Sequence, residues 1–480
     1  MPEHYKGGRF SYEKKIIIYT ALSFDGCYRP CRLRFRACPG RKPARRRRSR
    51  RFRRGSGSFQ RGPSSEAAAD TGEHEPVELT LWVTSRNTDD FSNAMKEKFL
   101  EEHPWITLNE VVKEGDPGNE FYQGVASGTA PDLVNCSFTM MESYMSAGIL
   151  EPLNAYVEDW DEWGSFTQEY VDMFTKDGTV YGVPNSVAPM LFGYNKALFE
   201  EAGLTEPPKT WDEALEMAKK LNDPDNQVSG YATLAAEWTE WFFQYYVWQA
   251  GGDLTKENED GTAELTFTDP AVIEAAKYYQ KLKSEGVLQS DLTLKFGDLT
   301  TNFALGKIGM MPFAADWVTD AVSNGMDPDD IGLCLPPAGP SGEQTTAIAG
   351  STYVINAKSD QAKKDAAWEY IKFYNSAEYF KGYFENLATK GALSPVIIPR
   401  DDMSVTDFYD FPDEYAEVLE AAKKVGRLEF YGKADFGSYV DRAVQKLLTD
   451  PNADPETEFA EAQKQCEAEA LPAFNEANKK

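Results

Sequence analysis

Histidine is scarce in this sequence. The 480 residues contain three, His4, His74 and His103, and none follows Pro104. Imidazole is the usual base of a catalytic triad and the commonest zinc ligand in proteins, so most of the chain is unsuited to either role. We therefore expect no catalytic residue, no metal site and no cofactor.

Cysteines and long apolar runs are also few. Cys136, Cys334 and Cys466 are the three cysteines of the last 417 residues, and they lie far apart. An odd, widely spaced set forms neither a disulfide framework nor a zinc pattern, and we expect three buried free thiols. No run of about 20 apolar residues occurs, which excludes a membrane-spanning helix.

The charge divides the chain into two unlike pieces. Residues 1–63 contain 19 basic residues (Lys and Arg) and 3 acidic residues (Asp and Glu). Residues 64–480 contain 31 basic and 74 acidic residues. An acidic field repels phosphate groups, so nucleic acid and anionic lipid are poor partners for the long piece. With 41% apolar and 13% aromatic residues overall, that piece is also not a disordered acidic tail.

The basic segment permits three interpretations. Residues 14–23 resemble the start of a secretory signal peptide, but the apolar run breaks at Asp25 and an Arg/Pro/Gly/Ser stretch follows. The segment is a nucleic-acid-binding arm, a disordered linker, or a signal peptide and tether translated in a shifted frame. The third interpretation explains most, because alanine codons rich in G and C become arginine or proline codons out of register. We expect residues 1–76 to be disordered and export of this N-terminus to be doubtful.

The long piece shows the periodicities of an α/β protein. Residues 77–83 alternate as a strand, a helix starts near Asp89 and stops at Pro104, and residues 106–112 form a second strand. A strand, helix, strand unit predicts a parallel sheet. Further helices are predicted from the capping box that starts at Thr210, from Asp269-Pro270, and from the apolar spacing of Ala367, Ile371 and Tyr374.

An ordered series of motifs carries a resemblance to a known family. They lie at residues 130–134, 148–153, 180–186, 188–204, 248–254, 306–311, 316–317 and 366–373. In this order they resemble the sugar-type extracellular solute-binding proteins of ABC transporters, the family of the maltose-binding protein. Gly193 departs from the pattern, because the family usually has a bulky apolar residue there.

The resemblance implies an α/β fold of two lobes, each a mainly parallel sheet flanked by helices, with a ligand cleft between them. We place the first lobe at residues 77–188 plus 351–398 and the second at residues 189–350 plus 399–480. The implied partners are a carbohydrate, which we expect to be an oligosaccharide, and the permease subunits of an ABC transporter. The implied protein is a monomer and an extracellular lipoprotein, anchored by lipid at the cell surface or held in the periplasm.

Ligands of open α/β sheets collect where strands end, and this rule and the resemblance together select candidate residues. Aromatic rings stack on the apolar faces of sugars, and seven aromatics crowd residues 238–248, of which we assign Trp248 to the core. Asp316 is expected either to accept from sugar hydroxyls or to cap a helix. The predicted ligand-binding residues are Arg86, Asn87, Ser137, Thr139, Trp238, Trp241, Asp316, Trp317, Gly350 and Ser351.

The alternative function is a carbohydrate-active enzyme, a glycosidase, acting on the same class of ligand. A glycosidase needs two opposed carboxylates, and 74 acidic residues offer too many pairs for their presence to be informative. No phosphate-binding loop, triad or metal spacing accompanies them. The sequence favours binding over catalysis.

Overall fold

The computed structural model describes residues 74–84, 89–113, 117–390, 394–408 and 412–479. The predicted disordered segment, residues 1–76, lies outside these ranges except for its last three residues, which are exposed and belong to no helix or strand.

Thirteen strands occur in the described part of the chain. They are β1 (Val77–Thr84), β2 (Ile106–Lys113), β3 (Leu133–Ser137), β4 (Thr175–Lys176), β5 (Thr179–Val180), β6 (Val183–Asn195), β7 (Ser229–Tyr231), β8 (Thr255–Glu257), β9 (Ala263–Leu265), β10 (Ile308–Ala314), β11 (Ile331–Cys334), β12 (Thr346–Ile355) and β13 (Gly426–Arg427).

Seventeen α-helices join them within the same ranges. They are α1 (Asp90–Glu102), α2 (Gly118–Ser127), α3 (Met141–Ala147), α4 (Asn154–Glu158), α5 (Gln168–Asp172), α6 (Lys196–Glu201), α7 (Trp211–Leu221), α8 (Thr239–Gln249), α9 (Pro270–Ser284), α10 (Phe296–Ala304), α11 (Trp317–Ser323), α12 (Gln361–Tyr374), α13 (Ala377–Thr389), α14 (Asp413–Val425), α15 (Lys433–Thr449), α16 (Pro455–Glu469) and α17 (Leu471–Asn478).

The predicted strand, helix, strand unit is confirmed. Strand β1 pairs in parallel with both β2 and β3, and α1 connects β1 to β2. Asp89 caps α1 by accepting a hydrogen bond from the Ser92 N–H at 2.7 Å. The predicted apolar face of α1 is less buried than expected, because Phe99 is its one buried residue and Ala94 is exposed.

The other predicted helices are confirmed as well. Helix α7 begins after Thr210, whose hydroxyl accepts from the Glu213 N–H at 3.2 Å. The Glu213 carboxylate accepts from the Lys209 N–H rather than from the Thr210 N–H, so only half of the predicted capping box is formed. Helix α9 begins at Pro270 and α12 ends at Tyr374. The aromatic-rich helix α8 buries nine of its residues, including Trp248, so most of the predicted aromatic cluster belongs to the core.

Two long strands connect the sheet regions. The main sheet has the order β2-β1-β3-β12-β6-β10-β7, with β11 on β6 and β13 on β12. Residues 183–189 of β6 pair with β12, whereas residues 190–195 pair with β10 and β11. Strands β12 and β6 run antiparallel to their main neighbours, so the sheet is mixed, which the repeating strand and helix pattern does not predict. The predicted α/β class is confirmed, and the lobe boundaries stay a prediction.

The hydrophobic core forms two clusters. The smaller cluster contains β1 and α12, with Leu79, Phe99 and Ile371 fully buried. The larger cluster contains α8, α9, β10 and α15. Of the predicted buried thiols, Cys136 and Cys466 are buried and Cys334 is partly buried. Within the described ranges, no helix is long and apolar enough to cross a membrane.

Candidate functional site

An open cavity of about 1870 Å³ lies among the ends of the main strands. One side, which we call the first wall, is formed by the ends of β2 and β3 and by α2 and α13. The other group of lining elements, which we call the second wall, comprises the start of α8, the junction of β10 with α11, and α15. The central parts of β6 and β12 lie between the walls, so the two strands that connect the sheets also border the cavity.

One of the predicted positions at the strand ends can be assessed fully. Ser137 ends β3 and lines the cavity, as predicted for a residue at the carboxyl end of a parallel strand. Thr139 lies in the short 3₁₀ turn that follows, where its side chain is not described. Arg86 and Asn87 follow β1 and lie outside the described residues. Their assignment stays a prediction.

Gly350 and Ser351 lie where β12 crosses β6, and both line the cavity. A Cβ atom on Gly350 would lie 2.1 Å from the Ser186 carbonyl oxygen and 2.5 Å from Phe138 Cζ. Only glycine allows this close approach of the two strands. The Ser351 and Ser186 hydroxyls are 3.1 Å apart, which places a pair of hydroxyl groups at the cavity.

Trp238 is the most unusual side chain of the second wall. It lines the cavity and is 47% exposed, which is high for a tryptophan. Its backbone φ is 53°, in the left-handed region, a conformation that costs a non-glycine residue about 1–2 kcal/mol. Its nearest aromatic neighbour is Phe296, with ring centroids 6.2 Å apart. Strained conformations of this kind are concentrated at functional sites, and Trp238 is therefore our main candidate for ligand contact.

The other two predicted tryptophans are more buried. Trp241 lines the cavity and packs edge-on against Phe242 and Tyr245. Trp317 also lines the cavity but is 5% exposed, with the Phe296 ring 4.6 Å away. Most of the Trp317 ring is therefore core, and a sugar can meet only a small part of it.

Asp316 lies at the second wall beside Trp317. It occupies the N-cap position of α11, and its side chain makes no capping hydrogen bond. The side chain of Asp316 therefore does not cap α11, which was one of its two predicted roles. Accepting from a ligand hydroxyl stays a prediction.

The sequence did not indicate the aromatic part of the first wall. Tyr122 of α2 is 50% exposed at the cavity, and Tyr379 and Tyr383 of α13 line it as well. Helix α13 has a regular amphipathic spacing, typical of a helix that packs on a core, so its aromatic residues carried no distinct signal. Only the folded structure shows which of these tyrosines are exposed at the cavity.

The second wall also contains a cluster of charged groups that sequence reasoning missed. Lys433 Nζ is 3.4 Å from Glu240 Oε1 and 3.4 Å from Glu429 Oε1, and the Glu240 N–H donates to Asp441 Oδ1 at 3.1 Å. Burial and the neighbouring Glu240 carboxylate raise the pKa of Asp441 to about 6. Burial also raises the pKa of Glu429. Helical spacing gives no signal for this pair, because Glu429 precedes α15, which begins at Lys433.

A further carboxyl group, the partly buried Glu142, lies in the first turn of α3. Glu142 lines the cavity, and burial together with the Glu257 carboxylate raises its pKa to about 7, although Lys176 and the Gly432 N–H oppose the rise. The group therefore changes charge near neutral pH. It adds to a negative cavity: the described lining residues include six carboxylates but only two lysines, Lys113 and Lys433.

The described residues contain no group of His, Cys, Asp and Glu side chains that could hold a metal ion. What the cavity offers instead is aromatic surface, hydroxyl groups and carboxylates. Such groups bind a polar solute that has apolar faces. Fold and cavity together define a two-lobed α/β solute-binding protein.

Comparison with known proteins identifies the family. Residues 85–379 match the model of the bacterial extracellular solute-binding protein family, and the chain belongs to this family. The sn-glycerol-3-phosphate-binding periplasmic protein UgpB of Brucella abortus is 30% identical over 335 residues, which cover 63% of this chain and 74% of the relative. The predicted resemblance is confirmed.

Solved structures show the same fold. An ABC transporter solute-binding protein from Thermotoga lettingae, bound to alpha-D-tagatose, has a TM-score of 0.68 at 21% identity and covers 83% of this chain and 99% of its own. A substrate-binding protein from Listeria monocytogenes, in complex with cycloalternan, has a TM-score of 0.69 at 22% identity. The match covers 82% of this chain and 99% of the Listeria chain. The two-lobed architecture predicted from the resemblance is confirmed.

Proposed function

We propose that the protein binds a carbohydrate, specifically an oligosaccharide, in the cavity between the two walls and delivers it to the permease of an ABC transporter. It performs no chemistry on the ligand. It acts outside the cytoplasmic membrane, as a monomer anchored by lipid or held in the periplasm.

The observation that carries this proposal is the position of the exposed apolar side chains. Four large hydrophobic residues in the described part of the chain are strongly exposed, and three of them line the cavity: Val112, Tyr122 and Trp238, at 51%, 50% and 47%. Apolar surface concentrated in a cleft marks a binding site. Sugar rings present apolar CH faces that stack on aromatic rings, and Tyr122 and Trp238 offer such rings on the two walls.

Polar groups between the aromatic residues suit sugar hydroxyls. Ser137, Ser186 and Ser351 line the cavity with hydroxyl groups that can both donate and accept, and the Asp316 carboxylate can accept. Each sugar ring presents several hydroxyls around an apolar face. A lining that contains both aromatic and polar side chains is the complement of that surface.

The size of the cavity supports an oligosaccharide. Its volume of about 1870 Å³ exceeds the roughly 300–1,000 Å³ typical of sites for one small molecule. The stacking candidates also lie on both walls rather than around one ring position. The Listeria neighbour binds cycloalternan, which is an oligosaccharide, in the same fold.

The charge of the cavity opposes a phosphorylated ligand. The relative from Brucella abortus is described as binding sn-glycerol-3-phosphate. Here the described lining has six carboxylates and two lysines, and one of the lysines, Lys433, is already paired with Glu240 and Glu429. A phosphate group would meet net repulsion in this cavity. A neutral or positively charged saccharide would not.

Closure of the two lobes is the proposed link to transport. A ligand that touches both walls favours the closed state by the difference between its affinities for the closed and open states. Residues 183–189 and 190–195 of the single strand β6 belong to different sheet regions, which makes the strand a candidate hinge. The permease would then recognise the closed form.

A thermal-shift screen of the full chain against plant and host glycans tests the proposal. A saccharide that binds only the folded state at about 100 times its Kd adds about 2.7 kcal/mol to stability, which raises Tm by a few degrees. Absence of a shift with every saccharide would contradict carbohydrate binding. Chromatography of each positive mixture distinguishes the alternative, because a glycosidase would produce shortened saccharides and a binding protein would not.

A further inference from the structure

Trp238 occupies a helix start that its own side chain cannot cap. It is the N-cap residue of α8, a position that usually has an extended backbone and a side-chain acceptor for the N–H of the second or third helical residue. Trp238 has neither, because its φ is 53° and its indole nitrogen is only a donor. The bend at residues 236–238 therefore depends on support from other parts of the chain.

Asp441 of α15 supplies the acceptor that the helix start lacks. Its Oδ1 accepts from the Glu240 N–H at 3.1 Å, and Glu240 is the second residue of α8, which an N-cap side chain usually bonds. The two residues are 201 positions apart, so only the folded chain provides this cap. The bond fixes the backbone on the C-terminal side of Trp238.

Glu237 fixes the backbone on the N-terminal side of Trp238. Its Oε1 accepts from the Phe296 N–H at 2.7 Å, and Phe296 is the first residue of α10, where an N–H has no partner within its own helix. The Phe296 ring packs near two tryptophans, with centroids 6.2 Å from Trp238 and 4.6 Å from Trp317. Glu237 itself is not one of the residues that line the cavity. Its carboxylate joins the bend to the start of α10.

We propose that Glu237 and Asp441 are positioning residues, which hold Trp238 in the left-handed conformation that exposes its ring at the cavity. This inference rests on the proposed function, because the two carboxylates act on saccharide binding through Trp238. A left-handed backbone is unfavourable for tryptophan and persists only where the surrounding structure determines it. One hydrogen bond on each side of the residue supplies that restraint. A ring that is already held in place loses less conformational freedom when a sugar stacks on it.

Fluorine NMR of the full chain without any saccharide tests the restraint. Labelling with fluorotryptophan gives each tryptophan its own resonance, and the Trp238→Phe variant identifies the resonance of Trp238. We expect a single narrow resonance for Trp238 in the wild type. Glu237→Ala and Asp441→Ala should each shift or split it, because a residue released from the restraint leaves the left-handed region for more favourable conformations.

Conservative variants separate positioning from a general effect on stability. Glu237→Gln and Asp441→Asn keep an oxygen that can accept from the same backbone N–H, so both should retain the wild-type resonance of Trp238. Asp360→Ala is the matched control, because Asp360 also accepts from a backbone N–H, that of Lys363 at 3.0 Å, but caps α12 in the smaller core cluster. It should leave the Trp238 resonance unchanged. Circular dichroism confirms that each variant is folded, and the partly buried Glu237 decides the test if Asp441→Ala is not.

Calorimetry with maltotetraose, a chain of four glucose rings, measures the consequence for binding. Immobilising a side chain that was free before binding costs affinity, so Glu237→Ala should bind maltotetraose about two- to twelve-fold more weakly than the wild type. Glu237→Gln should bind it as the wild type does.

The outcomes separate this inference from the proposed function. An unchanged Trp238 resonance in the alanine variants, or an equal change in Asp360→Ala, overturns the positioning role. Full affinity for maltotetraose in a Glu237→Ala variant whose Trp238 resonance has changed overturns it as well. The proposed function fails only if the wider glycan screen finds no saccharide, and the spectra, recorded without ligand, still decide whether the two carboxylates restrain Trp238.

Discussion

At the scale of single residues, Trp238 shows most clearly how local strain and function are connected. The sequence placed it in an aromatic run and predicted a ligand contact, but nothing in the sequence predicts its left-handed backbone or its 47% exposure. Trp317, the other principal candidate, is 5% exposed. Sequence spacing identifies which aromatics are near a site, whereas packing decides which of them remain available.

Replacing Trp238 should separate strain from binding. Trp238→Gly removes the ring but accepts a φ of 53° without cost, whereas Trp238→Ala removes the ring and keeps the strain. We expect the glycine variant to be more stable than the alanine variant by about 1 kcal/mol, as measured by urea denaturation. Both should bind the saccharide roughly 5- to 150-fold more weakly, as expected for losing about 1–3 kcal/mol of stacking.

Equal stability of the two Trp238 variants would show that the left-handed conformation is not strained. Unchanged affinity in both would show that Trp238 does not contact the ligand. Trp317→Ala is a useful contrast, because the burial of Trp317 predicts a stability loss of about 3–5 kcal/mol in addition to any loss of binding.

Glu142 predicts a dependence of stability on pH. Its pKa is raised from 4.5 to about 7 in the folded protein, so the folded state holds this proton more tightly than the unfolded state. The group therefore favours folding while it is protonated, and this contribution is lost as the pH rises from about 4.5 through about 7. Glu142→Gln should then gain roughly 2–3 kcal/mol relative to the wild type between about pH 5 and about pH 8.

Urea denaturation of both proteins at the two pH values measures this difference. Glu259→Gln serves as the control, since it removes an exposed acid and should show no such change with pH. A difference between Glu142→Gln and wild type that stays constant with pH would refute the assignment.

At the scale of helices and strands, local signals predicted a helix reliably where the sequence itself marks the helix end. The Thr210 capping box and the Asp269-Pro270 start predicted α7 and α9 because caps and prolines determine helix ends through local hydrogen bonds. Strands β6 and β12 carry no such local signal. Their antiparallel pairing with each other joins residues more than 150 positions apart, and no local period records it.

The crossing of β6 and β12 depends on Gly350. In Gly350→Ala, the new Cβ would lie 2.1 Å from the Ser186 carbonyl oxygen, and backbone cannot move away as a flexible side chain can. We expect a loss of at least about 3 kcal/mol in unfolding free energy, the upper part of the usual range for overpacking. Thermal and urea denaturation measure it.

Gly297→Ala is the control for this change. It adds the same methyl group in helix α10, where no atom lies within 4 Å, and alanine is the better helix former. The expected effect is neutral or stabilising by up to about 1 kcal/mol. If Gly350→Ala is as well tolerated as this control, the close strand crossing is not required.

At the scale of the whole molecule, the family resemblance predicted an arrangement of lobes that the residue patterns alone could not predict. Periodicity predicted the β1, α1 and β2 unit, but the two-lobed arrangement and the cleft came from the order of motifs and are confirmed by the family and the fold. The composition of the cavity was not predictable in full. Tyr122, Tyr383 and Asp441 come from three separate helices, and only the folded chain brings them to one cavity.

Small-angle X-ray scattering with and without the saccharide found in the glycan screen tests the central claim most directly. A ligand held between the two walls should close the lobes and reduce the radius of gyration of the wild type. Tyr122→Ala removes an exposed ring from the first wall and should contract less at the same sugar concentration, with an unchanged curve when no sugar is present. Identical curves for the wild type with and without a saccharide that calorimetry proves to be bound would contradict capture by closure.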